Sequence, residues 1–130
     1  MPIQRKIYYH DTDAGGVVYY ANYLKFMEEA RTQFFEDIGL GVKAFSDRGL
    51  MYAVRQCHVA YKSPARYGDT IVCDAKIVKV TGVQVFFSQQ VRSALDDRIL
   101  VEAEVSLVCL NRNFKPHPLP DDLRSRLEAL

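Results

Sequence analysis

His10-Asp11-Thr12-Asp13-Ala14-Gly15-Gly16-Val17-Val18-Tyr19-Tyr20-Ala21-Asn22-Tyr23 joins a strand-like segment to a strongly amphipathic helix through two carboxylates and a glycine pair. That order sets an acid beside a helix mouth, where free backbone N–H groups and the positive end of the helix dipole gather. A carbonyl oxygen held there is polarised while a carboxylate sits within reach of its carbon. The residues favour acyl chemistry.

Upstream of this stretch, Ile3 to Tyr9 reads as a strand ending at His10. Downstream, Asn22 is placed as an N-cap, Tyr23, Met27, Ala30, Phe34 and Ile38 recur at helical spacing, and Gly39 stops the helix. Leu24, Phe26 and Phe35 widen the apolar stripe, so the helix is expected to be enclosed on more than one side.

Leu50 to Arg112 reads as strand throughout. Ile71, Cys73, Ala75 and Ile77 alternate with Val72, Asp74 and Lys76; past a tight turn at Thr81-Gly82, Val83, Val85 and Phe87 alternate with Gln84, Phe86 and Ser88. A further strand sets Ile99, Val101, Ala103, Val105 and Leu107 against Leu100, Glu102, Glu104 and Ser106, with the carboxylates on the less buried face. Pro116, Pro118 and Pro120 extend the exit, and Asp121 or Asp122 caps a short helix carrying Leu123, Leu127 and Leu130. One strand, one helix, then four strands excludes a repeating β-α-β layout. The expected architecture is α+β: an antiparallel five-stranded sheet curled around one long central helix.

The 130 residues are expected to form one domain spanning 1–130. With 17 basic and 16 acidic side chains the net charge is +1, and no basic tract points to nucleic acid or anionic lipid. No apolar run reaches the roughly 20 residues that span a bilayer, and the N-terminus lacks a signal-peptide layout, so a cytoplasmic location is expected. Cys57, Cys73 and Cys109 are odd in number and widely separated, fitting neither a disulfide framework nor a metal site. They read as reduced, mostly buried small hydrophobes, and Cys57 and His58 leave opposite faces of a strand. No metal or cofactor is expected.

The run Asp11 to Tyr23, continued by Leu24-Lys25-Phe26-Met27-Glu28-Glu29-Ala30-Arg31-Thr32, closely resembles the 4-hydroxybenzoyl-CoA thioesterase family, its YbgC-like acyl-CoA thioesterase branch in particular. The likeness extends through Ser63-Pro64-Ala65-Arg66-Tyr67-Gly68-Asp69 and Ala103-Glu104-Val105, mainly in pattern and element order. It implies the hot-dog fold, an acyl-CoA substrate, active sites between subunits, and assembly as a homodimer or homotetramer. The two exposed edges of such a sheet independently favour pairing with a second copy.

The resemblance assigns the catalytic role to Asp13 and singles out the Tyr20 amide as oxyanion donor. An ionised Asp13 serves as general base or as nucleophile, while Asp11 is read as ordering the loop. Backbone N–H groups from Gly16 and Val17 to Tyr20 are the expected oxyanion-binding and substrate-binding set. YbgC-like relatives commonly carry His where this chain has Tyr20, a change without consequence if the backbone amide is what acts. His10 and His58 are read as structural. For the coenzyme A phosphates, Lys62 and Arg66 flank the Ser63-Pro64-Ala65 turn, and Arg112 and Lys115 follow the last long strand. Tyr23, Phe26 and Phe86 are the expected lining for an aryl or short-to-medium acyl group.

Asp11-Thr12-Asp13 also resembles the Asp-x-Asp of haloacid-dehalogenase phosphatases, but their alternating parallel layout is incompatible with four consecutive strands. Hot-dog dehydratases rely on a His that the Gly-rich loop lacks. A non-catalytic acyl-CoA-binding module or an acyl carrier protein thioesterase would share the scaffold, and the retained Asp13 argues against the former.

Overall fold

A computed structural model describes residues 2–130. In chain order the elements are β1 (Ile3–Lys6), a 3₁₀ turn (Tyr9–Asp11), α1 (Asn22–Asp37), α2 (Val42–Asp47), β2 (Leu50–Tyr61), β3 (Thr70–Cys73), β4 (Lys76–Val80), β5 (Gln84–Ser93), β6 (Ile99–Asn111) and α3 (Asp121–Glu128). All strand pairs are antiparallel, in the order β1-β3-β5-β6-β2, with β4 also paired to β5. The sheet thus has the five strand positions expected, but six strands.

The extra strand comes from a break in the run read as continuous over Ile71 to Ile77. Gln89 on β5 reaches across and donates from Nε2 to the Asp74 carbonyl at 2.9 Å and to the Met27 carbonyl of α1 at 3.0 Å. Asp74 turns its own carboxylate to the Gln90 N–H (2.9 Å) and to Arg92 Nη1 (3.0 Å). Side chains therefore satisfy the Asp74 carbonyl and the Gln90 N–H, which a continued ladder would pair with each other.

Period-2 alternation sets the packing. Val85, Phe87, Gln89 and Val91 of β5 and Val101, Ala103, Val105, Leu107 and Cys109 of β6 face the helix side and are buried. Glu102 and Glu104 fall on the opposite face, as their alternation requires. Phe86 also falls there, half-buried, so its expected place in an acyl pocket is corrected: inward Phe87 and outward Phe86 are neighbours of opposite phase.

Tyr23, Phe26, Met27, Ala30, Arg31 and Phe35 of α1 are buried, a stripe at 3.6-residue spacing pressed into the curled sheet. The helix ends as read, with Gly39 at φ +79°. Its start differs: Ala21 is the N-cap without a side-chain bond, and Asn22 Nδ2 donates to the Asp11 carbonyl at 2.9 Å.

Sequence reasoning left residues 40–49 without an element, yet α2 forms there and buries Phe45. Tyr52 of β2 lies between Phe45 (centroids 4.1 Å apart) and Phe35 (4.2 Å), a stack tying α1, α2 and β2 together. Each such pair contributes about 1 kcal/mol beyond its buried area. At the far end, α3 buries Leu123 and Leu127; its Asp122 pairs with Arg48 through contacts of 2.6 and 2.8 Å, and its Arg126 donates to the Ile38 carbonyl at the end of α1.

Cys73 and Cys109 are buried as expected, and burial pushes their thiols up to about 12 and about 11. Cys57 is exposed, a correction: it faces the helix side of β2 where that strand forms an edge of the sheet.

Candidate active site

The loop between β1 and α1 is organised by Asp11. Its buried carboxylate accepts Arg5 Nη1 at 2.9 Å, Arg5 Nη2 at 3.3 Å and the Tyr8 N–H at 2.9 Å. Its carbonyl accepts the Tyr19 N–H at 3.0 Å as well as Asn22. Burial acts to raise its pKa, but the Arg5 hydrogen bond, the Tyr8 N–H and the charges of Arg5 and His10 outweigh it, so Asp11 titrates below the usual carboxylate range. Asp11 is the clamp that sets the loop against the head of α1.

Asp13 sits at the tip of a small hairpin closed by a Thr12–Val18 bridge. Its N–H donates to the Val17 carbonyl (2.9 Å), its carbonyl accepts the Gly16 N–H (3.0 Å), and its Oδ1 accepts the Gly15 N–H (2.8 Å). Gly16 turns the chain at φ +80°, a conformation open to glycine at little cost. The carboxylate is exposed, and its Oδ2 has no partner among the described residues.

Asp13 adjoins Thr12, which pairs with Val18, and Val18 is a wall of a cleft of about 260 Å³ at the head of α1. Tyr20, Tyr23, Tyr61, Lys62, Ser63 and Pro64 complete that wall. The Tyr20 N–H has no acceptor among the described residues, while its carbonyl accepts the Tyr61 hydroxyl at 3.2 Å. Tyr23 is buried beneath, its hydroxyl accepting the Ala65 N–H at 3.1 Å. A free amide at a helix start and an exposed carboxylate oxygen are the two kinds of group that polarising a carbonyl and activating a water require.

The structure places the other sequence-predicted residues unequally. Gly16 commits its N–H to the Asp13 carbonyl, so its expected part as an oxyanion donor is corrected to a turn-former. The Val17 carbonyl holds the Asp13 N–H, and its backbone bridges Arg66, bringing Arg66 against the loop. Lys62 lines the cleft. Arg112 and Lys115 do not join them. Leu50 pairs with Asn111 and Tyr61 with Val101, so Arg112 and Lys115 sit at the opposite end of the β2–β6 pair from Lys62. The four candidate phosphate-binding cations therefore fall into two separate pairs within one chain. Sequence reasoning missed Arg5 and Tyr61, whose partners are set by folding; an Arg next to last in a strand carries no signal of its own.

A family model described as "Thioesterase-like superfamily" matches residues 8–127. The chain belongs to the thioesterase-like superfamily. Within this superfamily it is 36% identical over 119 residues to "Acyl-CoA thioester hydrolase YbgC" of Escherichia coli, covering 91% of this chain and 88% of that protein. A probable thioesterase from Bartonella henselae superposes with a TM-score of 0.87 at 30% identity, over 92% of this chain and 98% of that one. A 1,4-dihydroxy-2-naphthoyl-CoA thioesterase from Synechocystis shares the fold, with a TM-score of 0.90 at 22% identity over 99% and 96% of the two chains. The superfamily's sheet-and-helix frame is thus present across the full match, with the Asp13 hairpin and the head of α1 inside it.

Proposed function

We propose that this chain hydrolyses acyl-CoA thioesters, with Asp13 as the acting carboxylate and the Tyr20 amide as oxyanion donor. The observation that carries the reading is the unpartnered Tyr20 N–H at the head of α1, on the same β1–α1 loop as a carboxylate with one oxygen tied to Gly15 and the other free. Relatives of the superfamily named as acyl-CoA thioester hydrolases support it.

Asp13 Oδ2 takes a proton from water as the water oxygen bonds to the thioester carbon. The carbonyl electrons move to oxygen, where the Tyr20 N–H receives the developing charge. Collapse of the tetrahedral adduct breaks the C–S bond, and the proton held by Asp13 passes to the departing CoA thiolate. The backbone amide does not depend on the side chain at position 20, which is why Tyr can stand where relatives carry His.

The chain is proposed to act as a homodimer. β2 is bonded to β6 on one edge alone, and residues 54–58 of this edge strand are exposed. Antiparallel pairing of two β2 edges would lay the Arg112 and Lys115 end of one copy beside the Tyr61 and Lys62 end of the other, bringing the two cation pairs onto one surface for coenzyme A phosphates.

Asp13→Asn tests the assignment cleanly, since an amide oxygen still accepts the Gly15 N–H. Released thiol from acyl-CoA esters is expected to fall about 10²- to 10⁴-fold while ester binding persists. Turnover near that of the native chain would sink the assignment.

A further inference from the structure

A second hollow, of about 500 Å³, opens between α1, α2 and the Leu50 end of β2. Phe35, Phe45, Leu50, Val54 and Leu107 make its walls largely apolar. Arg31 breaks that pattern. It is 8% exposed, its Nη1 donates to Gln89 Oε1 at 2.9 Å, and it has no ion-pair partner among the described residues. Glu28 lines the same hollow but is exposed, where solvent screens it.

Gln89 is fully engaged. Its Nε2 is fixed by the Met27 and Asp74 carbonyls, so its Oε1 can only face Arg31. The guanidinium is therefore held in place from one side by a neutral amide, with its other N–H groups left for something else. Burying a guanidinium whose opposite charge, Glu28, lies out in solvent is costly, and one amide oxygen offsets little of that cost. A second wall residue, Tyr52, has a buried hydroxyl without a partner.

The hollow lies along α1 from the cleft. Arg31 is eight positions beyond Tyr23, about 12 Å along the helix axis, and its side chain leans back toward the helix start. Cys57 and Val54, on the helix-facing side of β2, flank this interval. An acyl chain fixed by its thioester at the head of α1 has to run along that side of β2 to reach the hollow.

Building on the thioesterase reading above, we propose that this hollow receives the far end of the acyl group and that Arg31 selects acyl chains ending in a carboxylate. The carboxylate supplies a counter-charge inside the hollow, where exposed Glu28 does not reach, and the apolar walls hold the methylenes leading to it.

The test compares suberyl-CoA with octanoyl-CoA, equal in carbon number and different only in the terminal carboxylate. It adds thermal shifts with free suberate and octanoate. The native chain is expected to favour suberyl-CoA in kcat/KM by about tenfold or more, as a charge-assisted bond provides. Arg31→Met should erase that preference and Arg31→Lys should keep part of it; suberate should raise Tm for the native chain and not for Arg31→Met. A native preference absent or reversed overturns the proposal, as does a suberate shift that survives Arg31→Met. Should Arg31→Met fail to fold, the native ratio and Arg31→Lys decide. If neither ester is hydrolysed, the thioesterase reading falls, and the suberate shift alone decides the pocket.

Discussion

At Asp13 the carboxylate is held by one short bond, Oδ1 to the Gly15 N–H, and left free on its other oxygen. That geometry depends on the absence of a side chain next door, because a methyl on Gly15 would come within 3.2 Å of Asp13 Oδ1. Gly15→Ala is expected to displace the carboxylate and lower turnover about ten- to hundred-fold, the scale of loss that small misplacements of a reacting group produce. Since the position has no positive φ, the melting temperature should stay near that of the native chain; intact turnover would show that Asp13 needs no such orientation. Asp11 has the opposite balance. Removing its carboxylate strands Arg5 and the Tyr8 N–H, so Asp11→Ala should cost about 2 kcal/mol of stability, read by urea unfolding. The roles of the two acids were separable in the sequence by turn chemistry and resemblance; the Arg5 partner was not, because nothing local selects it.

Among the elements, α1 and the long strands were legible because 3.6- and 2-residue periods report directly on which face is buried. α2 was not read, although Gly41 before it and Val42 and Phe45 at helical spacing were available as signals. Its six residues are too short to stand out, and packing of Phe45 on Tyr52 holds them. The break between β3 and β4 had no local signal at all, since the apolar alternation runs through it and a Gln on the next strand makes it. α3 rests on Asp122, which the sequence offered as a cap and the structure pairs with Arg48. That hydrogen bond holds Asp122 at about 2, below an unfolded value of about 3.9, so its stabilisation is present above pH about 4 and lost as pH falls through about 2. The Tm gap between the native chain and Asp122→Asn should therefore close over that window; a gap that persists at pH about 2 would show that the charge does not dock α3.

For the whole molecule, the decisive feature is the unpaired edge of β2, which leaves Val54 53% exposed on the helix-facing side. Val54→Glu places a charge where a second copy would pack, and is expected to shift the chain from dimer to monomer in light scattering while the fold persists. A native chain already monomeric at working concentration would refute the pairing and with it the shared cation surface. The sequence by itself determined α1, the long strands, the turn glycines and the reactive loop, since those follow from propensities and periods acting over a few residues. Only the tertiary structure decided which distant groups meet: Arg5 with Asp11, Tyr61 with the Tyr20 carbonyl, Arg31 with Gln89, and Lys62 apart from Arg112. Those meetings depend on strand register and on the path of the chain between strands, which residue spacing along the chain does not encode.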